Sequence, residues 1–178
     1  MSEAYIGLGS NLGNRGFNIC RAVMGLQEIS SVVSISSLYE TMPVGFSEQP
    51  PYLNAACRIW TRGTAFELLA NLKSIEKEIG YKRAFINGPR VIDLDILIFE
   101  KMVIESPSLT LPHPRMADRE FVLKPMAEIA IGLMHPILKQ TIKSLGKRSG
   151  VGNEVISAPF PVSCKGITTG ANSKTRYQ

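Results

Sequence analysis

The stretch Gly88-Pro-Arg90-Val-Ile-Asp93-Leu-Asp95-Ile-Leu-Ile-Phe99 reads as a buried strand that carries two carboxylates. Side chains of a strand alternate between faces, so Asp93 and Asp95 share one face, with Cα atoms about 6.6 Å apart. Leu94, Ile96 and Ile98 are expected to point the other way, into apolar packing. Two carboxylates on one partly buried face repel each other and lose solvation, which asks for a positive partner between them. A hard divalent cation fits, because Mg²⁺ takes one or two carboxylates and completes its shell with water and phosphate oxygens. Arg90, three residues upstream, is placed for a phosphate. A lone Asp-x-Asp is more often a solvated pair on a half-exposed strand, so the rest of the chain decides.

On the N-terminal side the pattern alternates strand and helix. Ala4–Gly9 is a short apolar strand ending in a turn rich in Gly, Ser and Asn. Asn14 can cap a helix whose Phe17, Cys20, Val23, Met24 and Leu26 recur at helical spacing. Val32–Thr41 alternates as one strand, and Tyr52–Thr61 as a second with Leu53, Ala55, Cys57 and Ile59 on one face. Between them lies the proline-rich loop Met42–Pro51. Thr64-Ala-Phe-Glu67 is a capping box, opening a helix with Phe66, Leu69, Leu72, Ile75 and Ile79, and Gly80 suits its left-handed terminator. The loop Tyr81–Pro89 leads into the Asp93/Asp95 strand. Beyond that strand, a tight connection near Glu100-Lys101 leads to Met102–Ile104, and Leu109–Pro114 is extended. Asp118 can cap a helix from Arg119, and Ile137–Leu145 is a last helical segment. Periodicity fades from Lys147 to Gln178, which predicts one domain over residues 1–146 and a flexible tail over 147–178.

Composition narrows the function classes. The 178 residues suffice for one domain with a sizeable core. An apolar share of 44% and a charged share of 20% are those of an ordinary globular protein. No run approaches the roughly 18 apolar residues of a membrane span, and Met-Ser-Glu-Ala-Tyr has no signal-like pattern, so a cytoplasmic protein without membrane partners is expected. Cys20, Cys57 and Cys164 are scattered and predict neither a disulfide framework nor a metal-ligand pair. The net charge of +5 is uneven: residues 1–80 carry −1 and residues 81–178 carry +6. The positive excess shares a half with the paired aspartates, which suits a polyphosphate held between metal and Arg/Lys. It would also suit RNA, but the strands lack the interleaved aromatics an RNA-binding sheet uses, so no nucleic-acid partner is expected. Two familiar phosphate motifs fail. Gly7-Leu-Gly9-Ser-Asn-Leu-Gly13 has its third glycine one residue too late for the dinucleotide fingerprint, and no G-x-x-x-x-G-K-[ST] occurs.

Five segments, in order, carry a resemblance: Tyr5-Ile-Gly-Leu-Gly-Ser-Asn-Leu-Gly-Asn14, Tyr39-Glu-Thr-Met-Pro-Val-Gly45, Gln49-Pro-Pro-Tyr-Leu-Asn-Ala55, Gly88–Ile96, and Leu111-Pro-His-Pro114 followed by Arg119 and Phe121. From about Ala4 to Leu145 the chain closely resembles the 6-hydroxymethyl-7,8-dihydropterin pyrophosphokinases of folate biosynthesis. The resemblance implies an α/β ferredoxin-like sandwich, a mainly antiparallel sheet with helices packed on it. It also implies transfer of diphosphate from ATP to the pterin hydroxymethyl group, releasing AMP, with two Mg²⁺ ions held by Asp93 and Asp95. Arg90, His113 and Arg119 would complete the catalytic set and hold the triphosphate, with Lys73, Glu76, Arg83, Ile96 and Thr110 near the nucleotide. The pterin would meet Thr41, Pro43, Val44, Tyr52, Asn54, Asp93 and Phe121. A monomer is expected, a dimer being the alternative.

The chain departs from the family in one place. Before Gly88-Pro-Arg90, many members are basic at several positions, whereas Tyr81 and Ile86 stand here where arginines are common and Asn87 replaces a frequent tryptophan. The expectation is an active, slowed enzyme, the alternative being a homologue that binds pterin and nucleotide with impaired transfer. The site should lie across the sheet edge, roofed by Pro43–Pro51 and Tyr81–Asn87.

Overall fold

The computed structural model describes residues 1–43, 49–80, 88–148 and Val162. Strand β1 (Ser2–Ser10) leads through helix α1 (Arg15–Ile29) to β2 (Ser31–Ile35), β3 (Tyr39–Thr41) and β4 (Tyr52–Thr61). Helix α2 (Ala65–Ile79) returns the chain to β5 (Asp93–Phe99), which is followed by the small hairpin β6 (Ile104–Glu105) and β7 (Thr110–Leu111). A 3-10 turn (Met116–Asp118) and helices α3 (Glu120–Ala130) and α4 (Ile142–Arg148) complete the order. The main sheet runs β2-β4-β1-β5, with β3 also on β4, and every pairing is antiparallel. Leaving aside β3, this is the βαββαβ order of a ferredoxin-like sandwich, in which β4 is inserted between β1 and β2.

The sheet is packed on both faces. Ala4, Ile6, Leu8, Leu53, Ala55, Cys57, Ile59, Leu94 and Ile96 meet α1 and α2 through Ile19, Leu26, Leu68 and Leu72. The opposite face holds Tyr5, Ala56, Leu97 and Ile98 against Val122, Leu123 and Met126 of α3 and Ile142 and Leu145 of α4. Val162 packs against the α1/α2 cluster. The helix starts predicted at Asn14 and Thr64 are built as expected. Asn14 accepts from Phe17 N at 3.0 Å, and Thr64 and Glu67 form the reciprocal capping box. Gly80 ends α2 at φ 117°. Among the described residues, no helix is long and apolar enough to cross a membrane.

Five local expectations are corrected. Val32–Thr41 is two strands, because Ser36 folds inward and its Oγ accepts from Ala56 N, replacing a ladder bond. Ile98 faces the α3/α4 side, because a bulge at Leu97 lets Tyr5 pair with Ile98 while Ile6 pairs with Ile96. Phe66 is exposed and Leu68 takes the core position in α2. Asp118 does not cap α3: the turn already starts with Met116 N donating to His113 O, which leaves Arg119 as the N-cap residue. Ile137 and Leu138 are exposed, and the last helix starts only at Ile142. One cysteine also differs from expectation, since Cys20 is disulfide-bonded and its partner is not among the described residues, whereas Cys57 is free and buried.

Candidate active site

An open cavity of about 150 Å³ lies over the C-terminal part of β1 and the N-terminal parts of β4 and β5. Its wall includes Gly7, Gly9, Thr41, Tyr52, Asn54, Arg90, Asp93, Asp95, Arg115, Arg119 and Phe121. Two chemistries share this wall, one charged, with two carboxylates and three guanidiniums, the other aromatic and amide. They meet where Tyr52 lies beside Arg90 and Phe121 beside Arg119.

Among the charged groups, pleating puts Asp93 and Asp95 on one face, as the sequence requires. Arg90 Nη1 pairs with Asp93 Oδ2 at 2.5 Å. Burial, and then the Asp95 charge, push the Asp93 carboxyl up to about 6 against the opposing pull of Arg90. Asp95 is 41% exposed, and among the described residues the one basic nitrogen within 4.0 Å is His113 Nε2, at 3.9 Å. Backbone bonds fix His113: its N–H donates to Leu97 O at 2.8 Å, and its Nδ1 accepts from Arg115 N at 3.2 Å. Burial holds its imidazole below the usual range, and Arg119 and Arg115 add to that against the pull of Asp95. A neutral ring with Nδ1 accepting carries its proton on Nε2, 3.9 Å from Asp95 Oδ2, although His113 itself does not line the cavity. Burial and the Arg115 charge likewise hold the Arg119 guanidinium below its ordinary range. Its Cζ lies 5.3 Å from the centroid of the Phe121 ring.

Like charges are therefore crowded twice over, anion on anion and cation on cation. A polyanion accompanied by divalent cations relieves both. Among the described residues no three His, Cys, Asp or Glu side chains are grouped to hold a metal alone. Two carboxylates facing a cleft of arginines fit Mg²⁺ shared with phosphate, rather than an all-protein cage.

Among the uncharged groups, Asn54 and Thr41 are buried, and Asn54 Nδ2 donates to Thr41 Oγ1 at 2.7 Å. Tyr52 lies on the same face of β4, its hydroxyl 3.4 Å from Gly88 O. Of the remaining expected residues, Lys73 is half exposed on α2 and paired with Glu76 at 2.9 Å. Burial opposes its charge, but Glu76, Asp93 and Asp95 outweigh it and hold the ammonium above its usual range. Glu76 is buried and accepts from Leu94 N at 2.7 Å, securing the outer edge of β5. Ile96 packs in the α1/α2 core, Thr110 is exposed on β7, and neither lines the cavity. Pro43 ends the described part of its loop; Val44 and Arg83, with Tyr81, Ile86 and Asn87, lie outside the described residues.

Two residues escaped the sequence reading. Arg115 lines the cavity, although only its neighbours His113 and Arg119 stood out in sequence. Asn11 is buried and joins three segments. Its N–H donates to Arg90 O at 3.1 Å, its Oδ1 accepts from Arg90 N at 2.8 Å, and its Nδ2 donates to Gln49 Oε1 and Pro50 O. A Ser-Asn pair ending a strand was the available signal, and it read only as turn chemistry. Asn11→Ala is expected to lower stability by about 1–3 kcal/mol, the cost of stranding buried partners. It should also raise the MgATP concentration needed for half-maximal rate, because Arg90 loses its anchor; denaturant midpoints and initial rates check both.

A sequence model described as 7,8-dihydro-6-hydroxymethylpterin-pyrophosphokinase (HPPK) matches residues 5–131. The chain is 48% identical over 128 residues to the 2-amino-4-hydroxy-6-hydroxymethyldihydropteridine pyrophosphokinase of Bacillus subtilis, covering 71% of this chain and 77% of that one. It is 39% identical over 143 residues to the enzyme of the same name from Aquifex aeolicus, covering 80% and 89%. The folic acid synthesis protein fol1 of Pneumocystis carinii is 44% identical over 142 residues, which are 79% of this chain but 19% of that protein. The chain thus spans about a fifth of the length of this fungal relative. The wild-type HPPK-DHPS of Plasmodium falciparum shares the fold, with a TM-score of 0.67 at 15% identity, over 83% of this chain and 44% of that one. By the matching family model and these relatives, the chain belongs to the 7,8-dihydro-6-hydroxymethylpterin-pyrophosphokinase family.

Proposed function

We propose that this chain transfers the terminal diphosphate of ATP to the hydroxymethyl oxygen of 6-hydroxymethyl-7,8-dihydropterin, releasing AMP, as a step of folate biosynthesis. The observation that carries the reading is one cavity with two chemistries on its wall: Asp93, Asp95, Arg90, Arg115 and Arg119, and beside them Asn54, Thr41, Tyr52 and Phe121. In the reaction the pterin oxygen bonds to the β-phosphorus, the bond from that phosphorus to the α,β-bridging oxygen breaks, and the hydroxyl proton is lost. Such a transfer depends on alignment and on neutralising the phosphate charge, and needs no side-chain nucleophile.

Asp93 and Asp95 would hold Mg²⁺, two ions by resemblance to the family. Bound there, the metal would polarise the phosphoryl group and offset its charge. Arg90 and Arg119 bind phosphate oxygens, and the His113 Nε2–H donates to one of them. Tyr52 and Phe121 offer faces for a flat heterocycle, and Asn54 reads its polar edge. Both partners are small molecules, in keeping with a cavity of this size.

The test is a product assay. With Mg²⁺, ATP and 6-hydroxymethyl-7,8-dihydropterin, AMP and the pterin diphosphate should appear in equal amounts and only when pterin is present. ADP in place of AMP, or AMP formed equally without pterin, would overturn the proposal.

A further inference from the structure

We infer that Arg115 is a third phosphate-binding guanidinium of this site, engaging the nucleotide polyphosphate alongside Arg90 and Arg119. The inference rests on the function proposed above and adds a residue to it. Arg115 lines the same cavity as the aspartate pair. Its backbone is pinned at both ends, its N–H donating to His113 Nδ1 at 3.2 Å and its carbonyl accepting from Asp118 N at 3.4 Å. Its φ of −107° and ψ of 7° place it in the sparsely used bridge region between helix and strand, where many active-site residues lie. The side chain is thus delivered from a fixed turn, although the residue itself is exposed.

Charge accounting separates Arg115 from an ordinary surface arginine. Arg90 is committed to Asp93. Among the described residues, no carboxylate pairs with the Arg115 guanidinium, although five other Lys or Arg side chains pair with carboxylates. Its charge instead opposes those of Arg119 and of a protonated His113. An unpaired guanidinium beside that of Arg119 is unfavourable until an anion arrives, and a triphosphate carries enough charge to engage both together with Arg90 on the same cavity wall. Arginine also presents planar, bidentate donors that suit phosphate oxygens.

The experiment titrates the full chain with α,β-methylene-ATP in the presence of Mg²⁺ by calorimetry, and separately with 6-hydroxymethylpterin. Arg115→Gln is expected to weaken the nucleotide analogue about tenfold, the size of one partly exposed charge-assisted contact. Arg115→Lys should recover most of that loss. The deficit of Arg115→Gln should shrink as salt is raised, because the interaction is screened. Pterin affinity and the unfolding midpoint should stay at the wild-type values. Unchanged analogue affinity in Arg115→Gln would overturn the inference, as would an equal loss of pterin affinity with a lowered midpoint. The two readings fail separately. A wild type that binds the analogue but forms no AMP would sink the proposed reaction and leave the role of Arg115 intact.

Discussion

Asp95→Ala is expected to cut pterin-dependent AMP formation by about 10³-fold while leaving the protein folded. The size follows from the several kcal/mol of charge stabilisation a bound metal supplies, at tenfold per 1.36 kcal/mol. The sparing of the fold follows from the surroundings of Asp95. Its side chain is 41% exposed, and its nearest basic partner is a histidine nitrogen 3.9 Å away. It also repels Asp93, which sits beneath it on the same face. Removing it breaks no close ion pair and relieves a like-charge contact, so the denaturant midpoint should hold or rise slightly. Asp93 is the less clean choice for this experiment, because it holds Arg90 and its loss would free that guanidinium. Near-normal AMP formation by Asp95→Ala would remove Asp95 from the mechanism and, with it, the metal role of the pair.

What could be read from sequence, and what could not, divides by the range of the forces involved. Local rules reached the helix caps at Asn14 and Thr64, the left-handed stop at Gly80 and the alternation that pairs Asp93 with Asp95. They failed where a contact distant in sequence overrides alternation. Ser36 leaves the strand because Ala56, on another strand, donates to its hydroxyl. Ile98 changes face because the bulge at Leu97 is set by register against Tyr5 and Ile6. The same holds in the site. The aspartates were legible because their spacing is local, whereas Asn11 acts through residues 38 to 79 positions away. Arg115 was hidden for another reason. A single arginine after a proline has no pattern, and only the fold shows that Arg90, Arg115 and Arg119 face one cleft. Glu76 went the other way: a helix glutamate that sequence would leave on the surface is buried against the β5 edge.

Gly9→Val and Asn54→Ala are expected to weaken pterin binding by about 100-fold each, for opposite reasons. The bond from Asn54 Nδ2 to Thr41 Oγ1 fixes the amide, so Oδ1 is left as the acceptor. Asn54 is buried, and among the described residues nothing donates to that oxygen. A buried acceptor without a donor costs about 1–3 kcal/mol, and a ligand N–H recovers it. The pterin, with amide and amine hydrogens along one edge, offers such donors. Asn54→Ala removes the acceptor and leaves Thr41 without its donor. Gly9 lies across the ladder from Asn54, and a Cβ there would stand 3.2 Å from Asn54 Oδ1 and 3.8 Å from Tyr52 Cδ1. The missing side chain is therefore what keeps open the approach to both residues, and valine's further methyls would fill it. Asn54→Ala touches none of Arg90, Arg115 and Arg119, so for that variant Mg²⁺-dependent binding of α,β-methylene-ATP should stay within about twofold of wild type, as expected for sites with no shared partner. Calorimetry with each ligand separately reads the two affinities. If Gly9→Val bound pterin normally, the ligand would have to sit elsewhere in the cavity, and Asn54 would be a buried strut for Thr41 rather than the residue that reads the heterocycle.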